Sequence, residues 1–460
     1  MRINFSLIRS ERAAKRTAQC PPDIDREGKI MLNEHGLKIA IIGSGSTYTP
    51  ELIDGFIRLR ATLPVRQFVF MDIDDRKRTI VGELCIRMLK EEKMTCETLL
   101  TADLDEAVRD ADYVITQIRV GKLPARILDE KIPMKYGLLG QETTGIGGFM
   151  KAQRTIPVMC HIADRVKELA PGAFIINFTN PSGIITEAVM KHGYNRIIGL
   201  CNVPINMTTS VREQLPGGEL TMDYVGLNHL SWIYHIEQDG HDITQEAIRQ
   251  GVKSERMNNI PPSDLDREIT AVAGAIYSPY LEYYYDREHK KKHGEESEKC
   301  RGEECVEIEE QLLALYSEKT LCRKPELLNK RGGHRYSEVA VNLVHDLYND
   351  TGNVNIVNVR NGNTVDFLEP DDVIEVACAI DQSGAHPLPL REIENTHIRT
   401  MMQTVKEYER QTVIAGLTGD RTAALRALVI HPLMGDYTTS RQCLDEMLSA
   451  NRAYLPQYKL

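Results

Sequence analysis

The sequence predicts an α/β protein whose N-terminal part is an open, doubly wound parallel sheet, followed by a second α/β domain. Short apolar runs with the length and β-branched content of buried parallel strands recur through the first 204 residues. Helical patterns separate these runs, as the connection between parallel strands requires. At 460 residues the chain exceeds what one hydrophobic core usually serves, so we expect two closely packed domains.

The overall composition excludes several classes of protein. With 42% hydrophobic and 27% charged residues the chain is typical of a globular protein, and its net charge of -10 argues against a general nucleic-acid binder. The sequence has no apolar run of the roughly 20 residues that span a bilayer. Its ten cysteines lack a regular spacing, which favours reduced thiols and a cytoplasmic location.

The first 36 residues are rich in arginine and carry no clear strand or helix pattern. We expect residues 1–36 to be a poorly ordered extension. A transit peptide is an alternative that we favour less than an extended start.

The first strand runs into a glycine-rich loop. Lys38–Ile42 is apolar, Gly43-Ser44-Gly45-Ser46-Thr47 follows it, and Thr49 and Pro50 provide a cap and first turn for a helix. Such glycines let the backbone approach a pyrophosphate, whose charge suits a helix N-terminus. Tyr48 replaces the third glycine of the usual fingerprint, so the loop by itself leaves an ordinary turn open.

An acidic residue supports the interpretation of the glycine loop as a nucleotide site. The second strand, Gln67–Met71, ends in Asp72. A carboxylate at this position binds the adenosine ribose and disfavours a 2′-phosphate, which favours NAD over NADP. The alternative is an ordinary acidic turn, but the strand, loop, helix and acid together indicate nucleotide binding.

A strand–helix–strand unit places polar residues at one edge of the predicted sheet. Its strands are Ala173–Phe178 and Ile197–Leu200, and the helix between them is Ser182–His192. Asn180 follows the first strand, and Cys201 and Asn202 follow the second. Ligands of open parallel sheets bind beyond the carboxyl ends of the strands, so these residues mark a candidate site.

Two further stretches contain candidate functional residues. Cys201 and His229 provide a thiolate and an imidazole for a divalent metal, although a histidine among apolar neighbours is more often a hydrogen-bonded core residue. The tyrosine-rich stretch that includes Tyr280 is, by the same reasoning, more often a packing element. Glycines at 137, 140, 145, 147 and 148 predict a tight loop in which Gln141 and Glu142 form hydrogen bonds, with a surface loop as the alternative.

The C-terminal part contains a predicted hairpin and long helices. We expect Asn353–Val359 and Thr364–Leu368 to pair around the turn at 360–363. Ile393–Ala415 and Arg421–Ile430 show helical patterns.

Seven motifs in one order identify a family. They are GSGSTYTPEL, QIRVGK, RILDEKIPMKYGLLGQETTGIGG, NFTNPSG, GLCNVP, GLNHLSW and SPYLEYYY. In this combination the chain, from about Leu37 to near its C-terminus, resembles the NAD- and divalent-metal-dependent glycosidases of glycoside hydrolase family 4. Within that family it most resembles the 6-phospho-β-glucosidases, because Asn202 stands where the 6-phospho-α-glucosidases carry an aspartate.

The resemblance implies a domain organisation and an assembly. It implies a Rossmann NAD-binding domain over residues 37–204 and, over residues 205–460, a C-terminal α/β domain of the lactate/malate dehydrogenase-like type. The second domain is expected to hold substrate, metal and oligomer contacts, with a homodimer or homotetramer as the assembly.

The resemblance also implies a role for each site residue. The residues implied for NAD are Gly43, Gly45, Ser46, Thr47 and Asp72. Cys201 and His229 are implied as ligands of Mn²⁺, with sugar oxygens and water completing the shell. Asn180, Arg126 and Asn202 are implied to contact the sugar. Arg301 is implied to bind its 6-phosphate, although the residues around Arg301 follow the family pattern only loosely. Tyr280 is implied as the catalytic base.

The implied reaction is a hydrolysis by way of a reversible oxidation. NAD takes a hydride from C3 of the sugar, Tyr280 removes the acidified C2 proton, and the metal stabilises the resulting enolate. The aglycone leaves C1, water adds, and the hydride returns to C3. No carboxylate pair is needed. Because Asn202 cannot act as an acid, the group that assists the departing aglycone stays open.

Three alternatives remain at this point. Another member of the family could act on an unphosphorylated or α-linked glycoside. An NAD-dependent 2-hydroxy-acid dehydrogenase would share the predicted core, but would leave Cys201, His229 and Tyr280 without a role. An NAD-sensing or scaffold protein would tolerate the loss of all three.

Overall fold

The computed structural model describes residues 36–257, 260–261, 265–331 and 336–459. The expectation of a disordered extension over residues 1–36 therefore lies outside the described residues, apart from Gly36. In the described part of the chain, none of the helices has the length and apolar character needed to cross a membrane.

One half of the central sheet consists of six short parallel strands, which are mostly buried except for the edge strand Glu97–Thr101. They are β1 (Leu37–Ile42), β2 (Val65–Met71), β3 (Glu97–Thr101), β4 (Tyr113–Thr116), β5 (Phe174–Asn177) and β6 (Ile197–Gly199). Their order in space, β3-β2-β1-β4-β5-β6, is that of a doubly wound Rossmann sheet. The predicted α/β fold class is confirmed.

The other half of the sheet is antiparallel. Its strands are β7 (Leu220–Leu227), β8 (Leu230–Gln238), β9 (His241–Asp242), β10 (Ile276–Tyr277), β11 (Val354–Arg360), β12 (Val373–Asp381) and β13 (Gly384–Pro387). From β6 the order continues β11-β12-β7-β8-β10, with β13 beside β12 and β9 beside β8. The two halves join where Asn358 of β11 pairs with Gly199 of β6, so one sheet runs through both predicted domains.

The helices connect the strands and cover the sheet. They are α1 (Thr49–Arg58), α2 (Asp75–Glu91), α3 (Leu104–Val108), α4 (Lys122–Lys135), α5 (Gly145–Leu169), α6 (Ser182–His192), α7 (Val203–Gln214), α8 (Thr244–Gln250), α9 (Asp266–Ala273), α10 (Glu282–Tyr285), α11 (Arg287–Glu296), α12 (Arg301–Tyr316), α13 (Tyr336–Asn349), α14 (Thr396–Thr418), α15 (Arg421–Ile430) and α16 (Tyr437–Ala450). Short 3₁₀ helices occupy Pro279–Leu281, Glu326–Arg331 and Arg452–Tyr454.

Packing between the helices positions the functional edge of the sheet. Helix α5 packs against α4, α6 and α14, and α12 packs against α4 and α2. Strand β1 is buried along its whole length because helices cover both faces of the parallel half. The glycine loop after β1 and the polar residues after β5 and β6 therefore project from a rigid base.

The predicted hairpin after residue 353 is wrong in its second strand. Strand β11 pairs with β12, and Thr364–Leu368 is not a strand. The Asn361 side chain donates to the carbonyl groups of Val365 and Leu368 and accepts from the Val365 amide. These local bonds fold the segment into a loop, as asparagine side chains often do, so the strand that pairs with β11 begins only at Val373.

Two helix starts also differ from the expectation. Tyr48, and not Thr49, is the cap residue of α1, because the Thr49 hydroxyl donates to the Ser44 carbonyl inside the loop. Helix α5 begins at Gly145, inside the glycine-rich stretch that we expected to form a loop. A Cβ at Gly147 would lie 2.1 Å from the Gln141 carbonyl oxygen, so the glycines here let a helix and a loop come into close contact.

Candidate active site

Parallel strands bring the predicted site residues to one edge of the sheet. Strands β1, β2, β5 and β6 all point the same way, so Gly43, Asp72, Asn180 and Cys201 lie just past their carboxyl ends. This edge is where open α/β sheets bind their ligands. The residues placed there by sequence reasoning therefore share one face of the molecule.

The glycine loop has the close packing expected of a dinucleotide site. A Cβ at Gly43, which has φ +89°, would lie 2.9 Å from the Gln117 carbonyl carbon. A Cβ at Gly45 would lie 2.8 Å from the Asp72 carboxylate, whose Oδ2 accepts the Gly45 amide at 2.8 Å. The loop thus holds Asp72 directly beside the backbone amides that precede α1.

Buried polar atoms without hydrogen-bond partners indicate that the glycine loop binds a ligand. Among the described residues, the buried hydroxyl groups of Ser44 and Thr47 have no hydrogen-bond partner. Such groups are rare in folded proteins, because an unpaired buried hydroxyl costs about 1–3 kcal/mol. Together with the acidic end of β2 and the glycine cradle, they fit NAD.

Cys201 lies at the N-terminus of α7, directly after β6. Its sulfur accepts from the Val203 amide at 3.5 Å and is also hydrogen-bonded by the Asn202 amide and the Asn228 side chain. Burial, and the nearby charge of Glu375, raise the pKa of the thiol above its usual range. A bound cation would offset both effects, since a coordinating thiol loses its proton outright.

His229 occupies the tight turn between β7 and β8, with φ +67°. Burial, reinforced by the positive charge of Lys151, lowers its pKa to about 3, so the imidazole is neutral, as a metal ligand must be. Asn228, the neighbour of His229, bonds Cys201, which brings the two predicted metal ligands to the same region.

The donor set fits a metal that shares its coordination with the substrate. The described residues contain no group of three or more histidine, cysteine, aspartate or glutamate side chains arranged for a metal ion. Cys201 and His229 therefore supply at most two ligands, and sugar oxygens and water are needed for the rest. This agrees with the incomplete shell implied by the sequence.

Tyr280 lies flat against His229. The ring centroids are 3.8 Å apart and the planes differ by 3°. Tyr280 sits in a 3₁₀ turn that follows β10, and β10 is held to β8 by the pairing of Tyr277 with Trp232. The β7–β8 turn and the tyrosine-rich stretch thus meet in the site, although 51 positions separate these two aromatic residues.

Asn180 lies in the loop between β5 and α6. Its buried Oδ1 has no hydrogen-bond partner among the described residues. The loop is fixed from the other side, because the Ser182 amide donates to the Asn228 side chain at 3.1 Å. An amide oxygen held in place without a partner fits a role in binding a sugar hydroxyl.

Arg126 belongs to a cationic cluster that the sequence did not reveal. Glu142 receives ion pairs from Arg119, from Arg126 at 3.0 Å and from Lys151 at 2.9 Å. Burial alone would raise the pKa of Glu142, but the three cations hold it well below its usual range. Burial and neighbouring Arg119 lower the pKa of Lys151 to about 8. The wide sequence spacing of these residues gave no pattern from which to predict the cluster.

Arg301 is connected to Arg126 through a short chain of contacts. It begins α12 and bonds Glu304 at 2.7 Å and the Lys330 carbonyl at 3.3 Å. The next amide, of Gly302, donates to one oxygen of Glu130, and Arg126 donates to the other. Arg301 is thus held at the side of the site that Arg126 occupies.

Glu375 is a second residue that sequence reasoning missed. It is fully buried and accepts hydrogen bonds from Tyr224 at 2.6 Å, Asn358 at 3.0 Å and Asn228 at 3.3 Å. Burial raises its pKa to about 6, although the three donors oppose the rise. A glutamate inside the apolar strand VIEVACAI was the signal, because isolated acids are almost never fully buried without partners.

Most of the chain matches the two domains of one known protein family. Residues 38–216 match the family 4 glycosyl hydrolases, and residues 224–434 match the C-terminal domain of the same family. The 6-phospho-β-glucosidase of Escherichia coli is 36% identical over 92% of this chain and 97% of its own. That of Thermotoga maritima is 38% identical over 91% of this chain and 99% of its own.

Solved structures agree with these matches. The Thermotoga maritima 6-phospho-β-glucosidase with NAD and glucose 6-phosphate superposes with a TM-score of 0.84, at 38% identity, over 91% of this chain and 99% of its own. The same enzyme is also known with manganese, NAD⁺ and glucose 6-phosphate, at a TM-score of 0.81. Malate dehydrogenase from Plasmodium falciparum, 12% identical, shares the fold with a TM-score of 0.52 over 83% of this chain and 100% of its own.

Proposed function

The chain belongs to the family 4 glycosyl hydrolases, and on that premise we propose that it hydrolyses 6-phospho-β-glucosides with NAD and a divalent cation, Mn²⁺. Relatives that share 36–38% of their residues over more than nine-tenths of this chain carry the name 6-phospho-β-glucosidase. One of them has been solved with NAD, manganese and glucose 6-phosphate.

The observation that carries the proposal is the stacking of Tyr280 on His229 at 3.8 Å. It places the proposed base against a proposed metal ligand, so both can reach adjacent atoms of one sugar. When bound, NAD accepts a hydride and returns it, and the cation acts as a Lewis acid on the oxidised sugar. This combination acidifies a carbon-bound proton without consuming the cofactor.

This chain's own residues bind the sugar and move the proton. Tyr280 removes the proton from C2. Asn180 presents to a sugar hydroxyl its amide oxygen, which has no partner among the described residues, and Arg126 provides guanidinium donors. Asn202 lines the same edge of the sheet and carries no acid, so assistance to the departing aglycone falls to another group or to water.

The 6-phosphate is assigned to Arg301. A guanidinium binds phosphate through paired N–H donors, and Arg301 starts α12, whose N-terminal dipole also favours an anion. Its contacts with Glu304 and Lys330 hold it in place, and a bound phosphate would compete for the same donors.

The proposed reaction is tested by comparing three chromogenic substrates with NAD and Mn²⁺ under reducing conditions: the 6-phospho-β-glucoside, the same glucoside without phosphate, and the 6-phospho-α-glucoside. Samples without NAD and a Cys201→Ser variant serve as controls. We expect release from the phosphorylated β-glucoside alone, and none in either control.

Other outcomes would change the assignment. Equal release from the unphosphorylated glucoside would remove Arg301 from the phosphate site, and release from the α-glucoside alone would reassign the stereochemistry. Accumulation of NADH on a 2-hydroxy acid, without release from any glucoside, would replace the glycosidase assignment with that of a dehydrogenase.

We further propose that the protein is cytoplasmic and forms a homodimer or homotetramer. Light scattering of the purified protein would measure the oligomeric state.

A further inference from the structure

We propose that Gln141 and Thr143 fix the tautomer of His229, so that its Nε2 lone pair is the one offered to the cation. This makes Thr143 a positioning residue for the metal site. The inference rests on the function proposed above and concerns residues of the tight loop before α5. It follows from the donors and acceptors that the loop brings together.

The orientation of the Gln141 side chain is set by the backbone. Its Oε1 accepts the amide N–H groups of Thr143 and of Thr144, the latter at 2.9 Å. Backbone N–H groups can only donate, so the atom that faces them must be the amide oxygen.

The orientation of Gln141 decides where the Thr143 hydroxyl sends its proton. Thr143 Oγ1 lies 3.0 Å from Gln141 Oε1. An amide oxygen has no proton to give, and a hydroxyl has only one. Thr143 must therefore donate to Gln141, and its remaining capacity is to accept.

His229 is the group from which Thr143 accepts. Its Nδ1 lies 3.2 Å from Thr143 Oγ1. With the hydroxyl proton already directed to Gln141, this contact requires a proton on Nδ1. A neutral imidazole carries one N–H, so Nε2 keeps its lone pair. The neutral imidazole is the state in which histidine binds a cation.

Two contacts together determine the position of the ring. Stacking on Tyr280 fixes the ring plane, and the Thr143 bond fixes which edge of the ring faces the loop. Metal-binding histidines usually donate their second ring N–H to a hydrogen-bond acceptor outside the metal's own ligands. Loss of that acceptor typically weakens metal binding about 10- to 100-fold. Thr143 meets this description.

The test measures Mn²⁺ binding directly, by the electron paramagnetic resonance signal of free Mn²⁺ in titrations of the full chain with NAD. We expect Thr143→Val to weaken binding about 10- to 100-fold. Thr143→Ser, which keeps the hydroxyl, should restore most of the affinity. Thr144→Val is the matched control, because the Thr144 hydroxyl contacts Tyr284 and His431 and not His229. It should bind Mn²⁺ like the wild type.

A His229→Ala variant separates this inference from the proposed function. If His229→Ala loses Mn²⁺ affinity but Thr143→Val keeps it, the inference is overturned and the metal site stands. If His229→Ala binds Mn²⁺ as the wild type does, the metal site itself is wrong and the inference falls with it.

A second measurement does not depend on any variant at Thr143. In metal-free protein labelled with ¹⁵N-histidine, the His229 signals are identified by their absence from His229→Ala. We expect a protonated Nδ1 and an unprotonated Nε2, and a protonated Nε2 would overturn the inference.

Discussion

The glycine loop offers the sharpest test of the cofactor site. Gly45→Ala would place a Cβ 2.8 Å from Asp72 Oδ2 and 2.8 Å from the Lys77 Cβ, well inside the 3.5–4.0 Å of ordinary carbon contacts. Gly45 does not have a positive φ, so the substitution acts by contact and not by backbone strain. The Asp72 carboxylate has to turn away, because its Oδ2 is one of the two atoms nearest to the added methyl group.

The expected loss of NAD affinity follows from one hydrogen bond. Once displaced, Asp72 can no longer accept from the ribose, and a hydrogen bond to a charged group contributes about 1.5–3 kcal/mol. At 1.4 kcal/mol per tenfold, NAD should bind about 10- to 150-fold more weakly. Isothermal titration calorimetry of the Mn²⁺-loaded protein measures this directly.

A matched glycine controls for the effect of an added methyl group. Gly172 lies in a turn where, among the described residues, a Cβ would meet nothing within 4 Å. Gly172→Ala should leave NAD affinity unchanged, and Gly45→Ala should leave Mn²⁺ affinity unchanged. If Gly45→Ala bound NAD as tightly as Gly172→Ala, Asp72 would not be the ribose ligand.

Three further predictions concern other parts of the molecule. Tyr280→Phe should lower kcat about 10²- to 10⁴-fold, the usual range for a lost general base, with NAD and Mn²⁺ affinities retained in binding titrations. Glu375→Ala removes the buried acceptor that Tyr224, Asn228 and Asn358 share, whereas Glu375→Gln keeps an amide oxygen, so the urea midpoint of Glu375→Ala should fall below that of Glu375→Gln. Burial raises the pKa of Glu409 to about 7, above the unfolded value, although the charge of its ion-pair partner Lys406 opposes the rise, so this group favours folding at low pH and loses that contribution as pH rises through 7. The Tm of Glu409→Gln minus the Tm of the wild type should therefore increase as the pH is raised from 5 to 9. A difference that decreases with pH would contradict this.

Most of the parallel half of the fold could be predicted because its signals are local, whereas the partly exposed edge strand β3 was missed. An apolar run followed by glycines, a proline and an acid specifies a strand, a loop and a helix within about 35 residues. Helix α6 begins and ends where the sequence placed it, at Ser182 and His192. The capping and periodicity rules on which these predictions depend act over one or two turns of chain.

The rest of the site depends on contacts between distant segments. Glu142 is surrounded by cations from three elements, and Glu375 receives its donors from β7, β11 and the turn between β7 and β8. No local pattern encodes such pairings. The hairpin prediction after β11 failed for a related reason, because the side chain of Asn361 replaced the expected strand pairing with local hydrogen bonds.

The proposed reaction requires that the proton at C2 of the sugar, which we assign to Tyr280 for removal, leaves during turnover, and deuterium incorporation reveals whether it does. The reaction is run on the 6-phospho-β-glucoside in D₂O with NAD and Mn²⁺, and the glucose 6-phosphate product is examined by NMR and mass spectrometry. We expect one deuterium at C2 of the product, introduced when the proton is replaced. Product that carries hydrogen at C2 would contradict it, because direct displacement at C1 leaves the C2 bond intact.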